Sequence, residues 1–93
     1  MLSKTPMDFT NINIADADKE ILRLGMIAEL DAINLYEQLA AVTKNENLKL
    51  VLMDIAREEK THMGEFQALL LQLDKEQVGE LEAGKREVEE KVK

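Results

Sequence analysis

The sequence predicts an all-α protein, an antiparallel two-helix hairpin followed by a C-terminal helix, of the kind that dimerises into a four-helix bundle. Apolar residues recur in steps of 3 and 4 through two long stretches, 17–43 and 46–73. A short polar cluster, "TKNEN" at 43–47, separates them. Only 4 glycines and 1 proline interrupt 93 residues, and Leu, Glu, Lys and Ala dominate, as helices require.

The chain divides in order. Pro6 and "TNIN" mark residues 1–15 as an irregular N-terminal arm. Asp16 or Asp18 is placed to cap the first helix, from about 17 to 43, because a short carboxylate can accept from the unpaired N–H groups of the first turn. "TKNEN" supplies a turn, and a second helix runs from 46 to 73. Asp74 and Gln77 form a capping-box pattern opening a third, charged helix over 75–92, which Gly79 and Gly84 weaken. Residues 16–74 are thus the hairpin and 75–93 an amphipathic tail. Two long helices joined by so short a turn must run antiparallel.

Composition narrows the function. A chain of 93 residues buries a modest core, so association or a metal is expected to supplement it. With no cysteine there are no disulfides, thiolate zinc sites or iron–sulfur clusters. A net charge of −7 repels phosphate and argues against nucleic acid. No apolar run is long enough for a signal peptide or a membrane span, so a cytoplasmic protein is expected.

Polar residues intrude into the apolar rows. Along the second helix Leu48, Leu52, Ile55, Glu59, His62, Phe66, Leu69 and Leu73 form one row stepping by 4 and 3. Glu59 and His62 occupy consecutive places in it, whereas Glu58 and Lys60 fall outside and read as surface charges. On the first helix the row is Leu22, Met26, Glu29, Ile33, Tyr36 and Ala40, again with a carboxylate inside. A neighbouring row, Ile21, Leu24, Ala28, Ala32, Leu35 and Leu39, makes that helix's apolar face too broad for one partner. Burying a carboxylate and an imidazole costs several kcal/mol unless something compensates. Glu29 and Glu59 each lie about 15 residues from the turn's midpoint, so in a hairpin they meet at the same height, about 22 Å from it.

Carboxylate and imidazole are the ligands of iron in oxygen chemistry. Di-iron bundles take one Glu from each of two helices and a Glu-x-x-His from each of the other two. This chain carries half that set, Glu29 on one helix and Glu59 with His62 on the other. Two hairpins about a two-fold axis would complete it.

"AELDAINLYEQLA" at 28–40 followed by "REEKTHMGEF" at 57–66 resembles the encapsulated ferritins, short relatives of ferritin and rubrerythrin. The resemblance covers about residues 20–75. It rests on E-L-[DE]-A, a tyrosine seven residues after the Glu, and E-E-x-x-H. It implies a ferritin-like four-helix bundle built from two chains, a di-iron ferroxidase site between them, and commonly a decameric ring. It further implies iron storage within an encapsulin shell, and so a place inside an encapsulin nanocompartment in the cytoplasm. By matching position Glu29, Glu59 and His62 are the iron ligands and Tyr36 stands behind them. Asp31 alone matches the outer carboxylates through which iron reaches the site; Ala28 and Leu35 replace an acidic residue and a tryptophan found in some members. No shell-targeting segment follows Val92, which implies a chain truncated or fused to its shell.

Simpler readings stand beside these. A lone histidine is more often a core or interface residue than a ligand, Tyr36 is equally suited to packing, and Met26 and Met63 are core filler rather than copper or haem ligands. "KREVEEKVK" reads as a solvated helix face. The rival functions are a peroxide-reducing di-iron protein like rubrerythrin, lacking that family's cysteine-bound iron, and a non-catalytic helical interaction module. Manganese or zinc suits the same ligand types.

Overall fold

The computed structural model describes residues 16–92 and contains three helices, α1 (Ala17–Val42), α2 (Glu46–Leu73) and α3 (Lys75–Lys91). The expected arm at 1–15 lies outside the described residues. α1 begins directly after Asp16, but the Asp16 side chain makes no capping hydrogen bond; Asp18 and Glu20 set negative charge beside the first-turn N–H groups instead. The turn is tied locally. Asn45 N–H donates to Thr43 Oγ1 at 3.1 Å, and Asn45 Oδ1 accepts from Leu48 N–H at 3.0 Å, capping α2.

Asp74 governs the other end. Its N–H donates to the Leu70 carbonyl, closing α2, while Oδ1 accepts from Gln77 N–H at 3.0 Å, opening α3. Its Oδ2 accepts from Arg23 Nη2 on α1 at 2.9 Å. The Gln77 backbone hydrogen bond, with a smaller contribution from Arg23, holds the Asp74 carboxyl below its ordinary value against the opposing effect of burial.

Small residues bring the two long helices together. Ala32 and Ala40 of α1 and Ala56 of α2 are buried, flanked by Leu22, Ile33 and Leu70. Farther from the turn, a Cβ placed on Gly25 would sit 3.1–3.2 Å from the Phe66 ring, so this ring rests on bare α1 backbone.

The covered row of α2 differs from the expected one. It runs through Leu52, Ala56, Glu59, Met63, Phe66 and Leu70, all buried or half-buried. The expected row shares Leu52, Glu59 and Phe66 with it, but its own Leu48, Leu69 and Leu73 are 47%, 50% and 48% exposed. His62 belongs to that outer row, and its side chain is 47% exposed rather than enclosed in the hairpin. The reason is geometric. A single neighbouring helix covers one ridge of α2, and an adjacent ridge built on the same 3–4 spacing turns away from it. On α1, Ile21 and Leu39 of the neighbouring row are likewise about half-exposed. The breadth of the apolar face is real, and one helix leaves much of it bare.

α3 stays helical through both glycines yet buries none of its residues. It leaves the hairpin at an angle, giving a flat shape of 47 × 43 × 19 Å, where α2 alone accounts for one long dimension. Where it departs, a cleft of about 380 Å³ opens, lined by Arg23, Met26, Ile27, Leu30, Gln67 and Leu81 among others. None of the described helices is long and apolar enough to cross a membrane.

Candidate metal centre

Glu29 projects from the middle of α1, where the helix crosses α2 at equal distance from the turn. Glu59 and His62, three residues apart, share one side of α2. The hairpin therefore brings all three together, as the spacing predicts. One ligand-type atom from each lies within 4.8 Å of the others. His62 Nδ1 stands 3.6 Å from Glu29 Oε2 and 3.6 Å from Glu59 Oε2. These separations are too long for hydrogen bonds. Two atoms bound to one ion at about 2.1 Å each, at near-tetrahedral or octahedral angles, sit roughly 3–3.5 Å apart. The observed spacing is close to that of ligands around a shared cation.

Burial strengthens the fit. The Glu29 and Glu59 side chains are only 18% and 19% exposed. Glu29 Oε2 is sealed from solvent and accepts no hydrogen bond. A sealed carboxylate oxygen without a donor is costly, and a cation is the partner that would compensate it. The donor set, two carboxylates and an imidazole, suits iron, manganese or zinc. Three ligands from one chain are too few to enclose a pair of ions, and the site is open on the side where His62 meets the bare row of Leu48, Leu69 and Leu73.

Lys60, Arg57 and Asp54, near the centre, are engaged elsewhere. Lys60 pairs across the hairpin with Glu37 at 3.3 Å. Arg57 pairs with Asp54, and that hydrogen bond holds the Asp54 carboxyl low. Glu58 and Lys60 are exposed, as expected. Tyr36 is half-buried two turns beyond Glu29 on the same side of α1, and is not one of the clustered residues. Asp31 lies about 200° around α1 from Glu29 and is also outside the cluster. The sequence alone gives Gly25 no role; its signal is a residue without a side chain one turn from Glu29, opposite an aromatic one turn from His62.

The sequence profile of the rubrerythrin family matches residues 20–93, which include all three clustered residues. The chain belongs to the rubrerythrin family. Within it, the chain groups with the encapsulated ferritins. A ferritin-like–encapsulin shell fusion protein of Pyrococcus furiosus is 65% identical over 71 residues, covering 76% of this chain and 21% of the relative. The encapsulin nanocompartment cargo protein EncC of Myxococcus xanthus is 39% identical over 75 residues, covering 81% of this chain and 55% of the relative. This chain thus spans about a fifth and about half of those two proteins. The crystal structure of the encapsulated ferritin domain from Pyrococcus furiosus superposes with a TM-score of 0.82 at 52% identity, covering 97% of this chain and 92% of that one. The all-α fold is that of the encapsulated ferritin domain.

Proposed function

We propose that this protein is a ferroxidase, oxidising Fe(II) to Fe(III) at a di-iron site shared by two chains, for iron storage inside an encapsulin shell. The observation that carries the reading is the meeting of Glu29, Glu59 and His62 at the edge of the hairpin, with a sealed Glu29 oxygen that accepts no hydrogen bond. A second hairpin packed about a two-fold axis on the outer row of α2 would cover Leu48, Leu69 and Leu73 and oppose an identical triad. The combined set is then four carboxylates and two imidazoles. Its four negative charges balance two Fe(II) ions. Further association into a ring, decameric in the resemblance noted above, would use the remaining bare row of α1.

In this reading Glu59, Glu29 and His62 of each chain would hold the two ions, Glu59 as the carboxylate shared between them and Glu29 and His62 as the terminal ligands. Two Fe(II) ions give up one electron each, and dioxygen with two protons takes both electrons to become hydrogen peroxide. Where peroxide is the oxidant, the same two electrons and two protons yield two waters. No side chain acts as a nucleophile; the protein's part is to hold two cations close together in a partly desolvated pocket. Tyr36, two turns from Glu29, stands behind the ligands. Asp31 faces another side of α1, outside the triad. The fusion and cargo relatives support a shell partner and a location within a nanocompartment.

Stopped-flow measurement of Fe(II) oxidation tests this. Glu59→Ala and His62→Ala are expected to abolish the fast phase while circular dichroism keeps its helical signal. Parent-like oxidation by either variant would sink the ligand assignment. Comparing dioxygen with hydrogen peroxide as oxidant separates storage from the peroxide-reducing chemistry of a rubrerythrin.

A further inference from the structure

We infer that Gly25 and Phe66 form a spacer that sets the gap between α1 and α2 for the metal ligands, which makes Phe66 a positioning residue for the site. The inference rests on the metal-site reading above. Gly25 precedes Glu29 by one turn, and Phe66 follows His62 by one turn, so the pair lies directly beside the triad on the side away from the hairpin turn. Four residues of helix place it about 6 Å along the axis from the ligands.

At this level the helices meet as an aromatic ring against bare backbone. A Cβ on Gly25 would be 3.1 Å from Phe66 Cε2 and 3.2 Å from Cδ2 and Cε1, so three ring atoms lie in close contact with it. The other described glycines behave differently. Gly64, Gly79 and Gly84 have open space where a Cβ would go. In Gly25 alone the missing side chain is used, and the use is to seat this ring.

Magnitudes make the seat relevant to ligation. Adding one methyl requires the ring to retreat by a few tenths of an ångström. Metal–ligand distances tolerate only about ±0.2 Å. Glu29 comes from one wall of the gap and Glu59 with His62 from the other, so a change in spacing one turn away is comparable with what the site can absorb.

The probe is Co(II) alone, added to the full chain, with affinity read by titration and ligand geometry by the visible absorption band. Gly25→Ala is expected to weaken Co(II) binding about ten-fold or more and to change the band, as loss of a ligand-orienting partner does. Phe66→Leu, which removes the flat ring, should weaken it similarly. Phe66→Tyr keeps the ring and should match the parent. The double variant Gly25→Ala/Phe66→Leu, in which the new methyl fills part of the space the ring vacates, should recover most of the affinity. Far-ultraviolet circular dichroism establishes that each variant is folded, and the double variant and Phe66→Tyr keep the test decisive if one single variant is not. If Gly25→Ala lowers the melting temperature but leaves Co(II) affinity and band unchanged, the pair is packing only and the proposal falls. If the double variant binds no better than the worse single variant, the spacer idea also falls. A parent chain that takes up no Co(II) would instead overturn the metal-site reading itself.

Discussion

Replacing Glu29 by Gln should make the metal-free protein more stable while removing its response to metal. The substitution keeps size and shape and deletes one charge. In the parent, ligand atoms of Glu29 and Glu59 lie within 4.8 Å of each other in a pocket where both side chains are less than one-fifth exposed. Two like charges at that separation repel by roughly 3.5 kcal/mol at an effective dielectric of about 20, and by about 1 kcal/mol in water. The sealed Glu29 oxygen, lacking a hydrogen bond, adds a desolvation cost of about 1 kcal/mol or more. After solvent screening, a net gain of about 1–2 kcal/mol is expected for Gln, or roughly 5–10 °C in melting temperature for a chain this size. Metal reverses the order. At a concentration of about 100 times Kd, the parent gains about 2.7 kcal/mol and the variant gains nothing. The assay is thermal unfolding at fixed protein concentration and fixed pH, with chelator and then with Co(II). A metal-free variant that melts below the parent, or one that gains as much from Co(II), would refute both the strain at Glu29 and its role.

Two further outcomes follow from the helix ends and the open glycines. The Asp74 carboxyl titrates below its ordinary 3.8 because Gln77 N–H and Arg23 bind the charged form. Its stabilisation is therefore complete above that value and disappears as pH falls through the lower folded-state value. Acid should loosen α3 from the hairpin before the hairpin melts, and Asp74→Ala should loosen it at neutral pH, both visible as early exchange of the Gly79 and Gly84 amides; protection that persists in Asp74→Ala would contradict this. Gly64→Ala, with nothing within 4 Å of the added methyl, should stabilise α2 by about 1 kcal/mol and leave Fe(II) oxidation untouched. A loss of stability on denaturant titration would mean that another chain covers that face.

How much could be read from the sequence differs between backbone and faces. Periodicity gave α2 its observed limits and α1 its limits within a residue, because apolar spacing and the TKNEN turn specify both. Equal distances from the turn brought Glu29 to Glu59, since rise per residue is fixed by helix geometry. The exposure of His62 was not legible. Two overlapping rows on α2 share Leu52, Glu59 and Phe66, and spacing alone does not say which row the single neighbouring helix covers. The missing cap at Asp16 was illegible for a related reason: residue type permits the hydrogen bond, and local backbone geometry decides whether it forms. Gly25 carried no periodic signal, because its function lies in the side chain it lacks.

Everything depends on two chains being needed to hold the ions. Native mass spectrometry across a titration with Fe(II) under anaerobic conditions addresses that directly. Metal is expected only on dimers and multiples of dimers, at two ions per pair of chains, with monomers bare. Monomers carrying stoichiometric metal, or dimers that take up none, would contradict it.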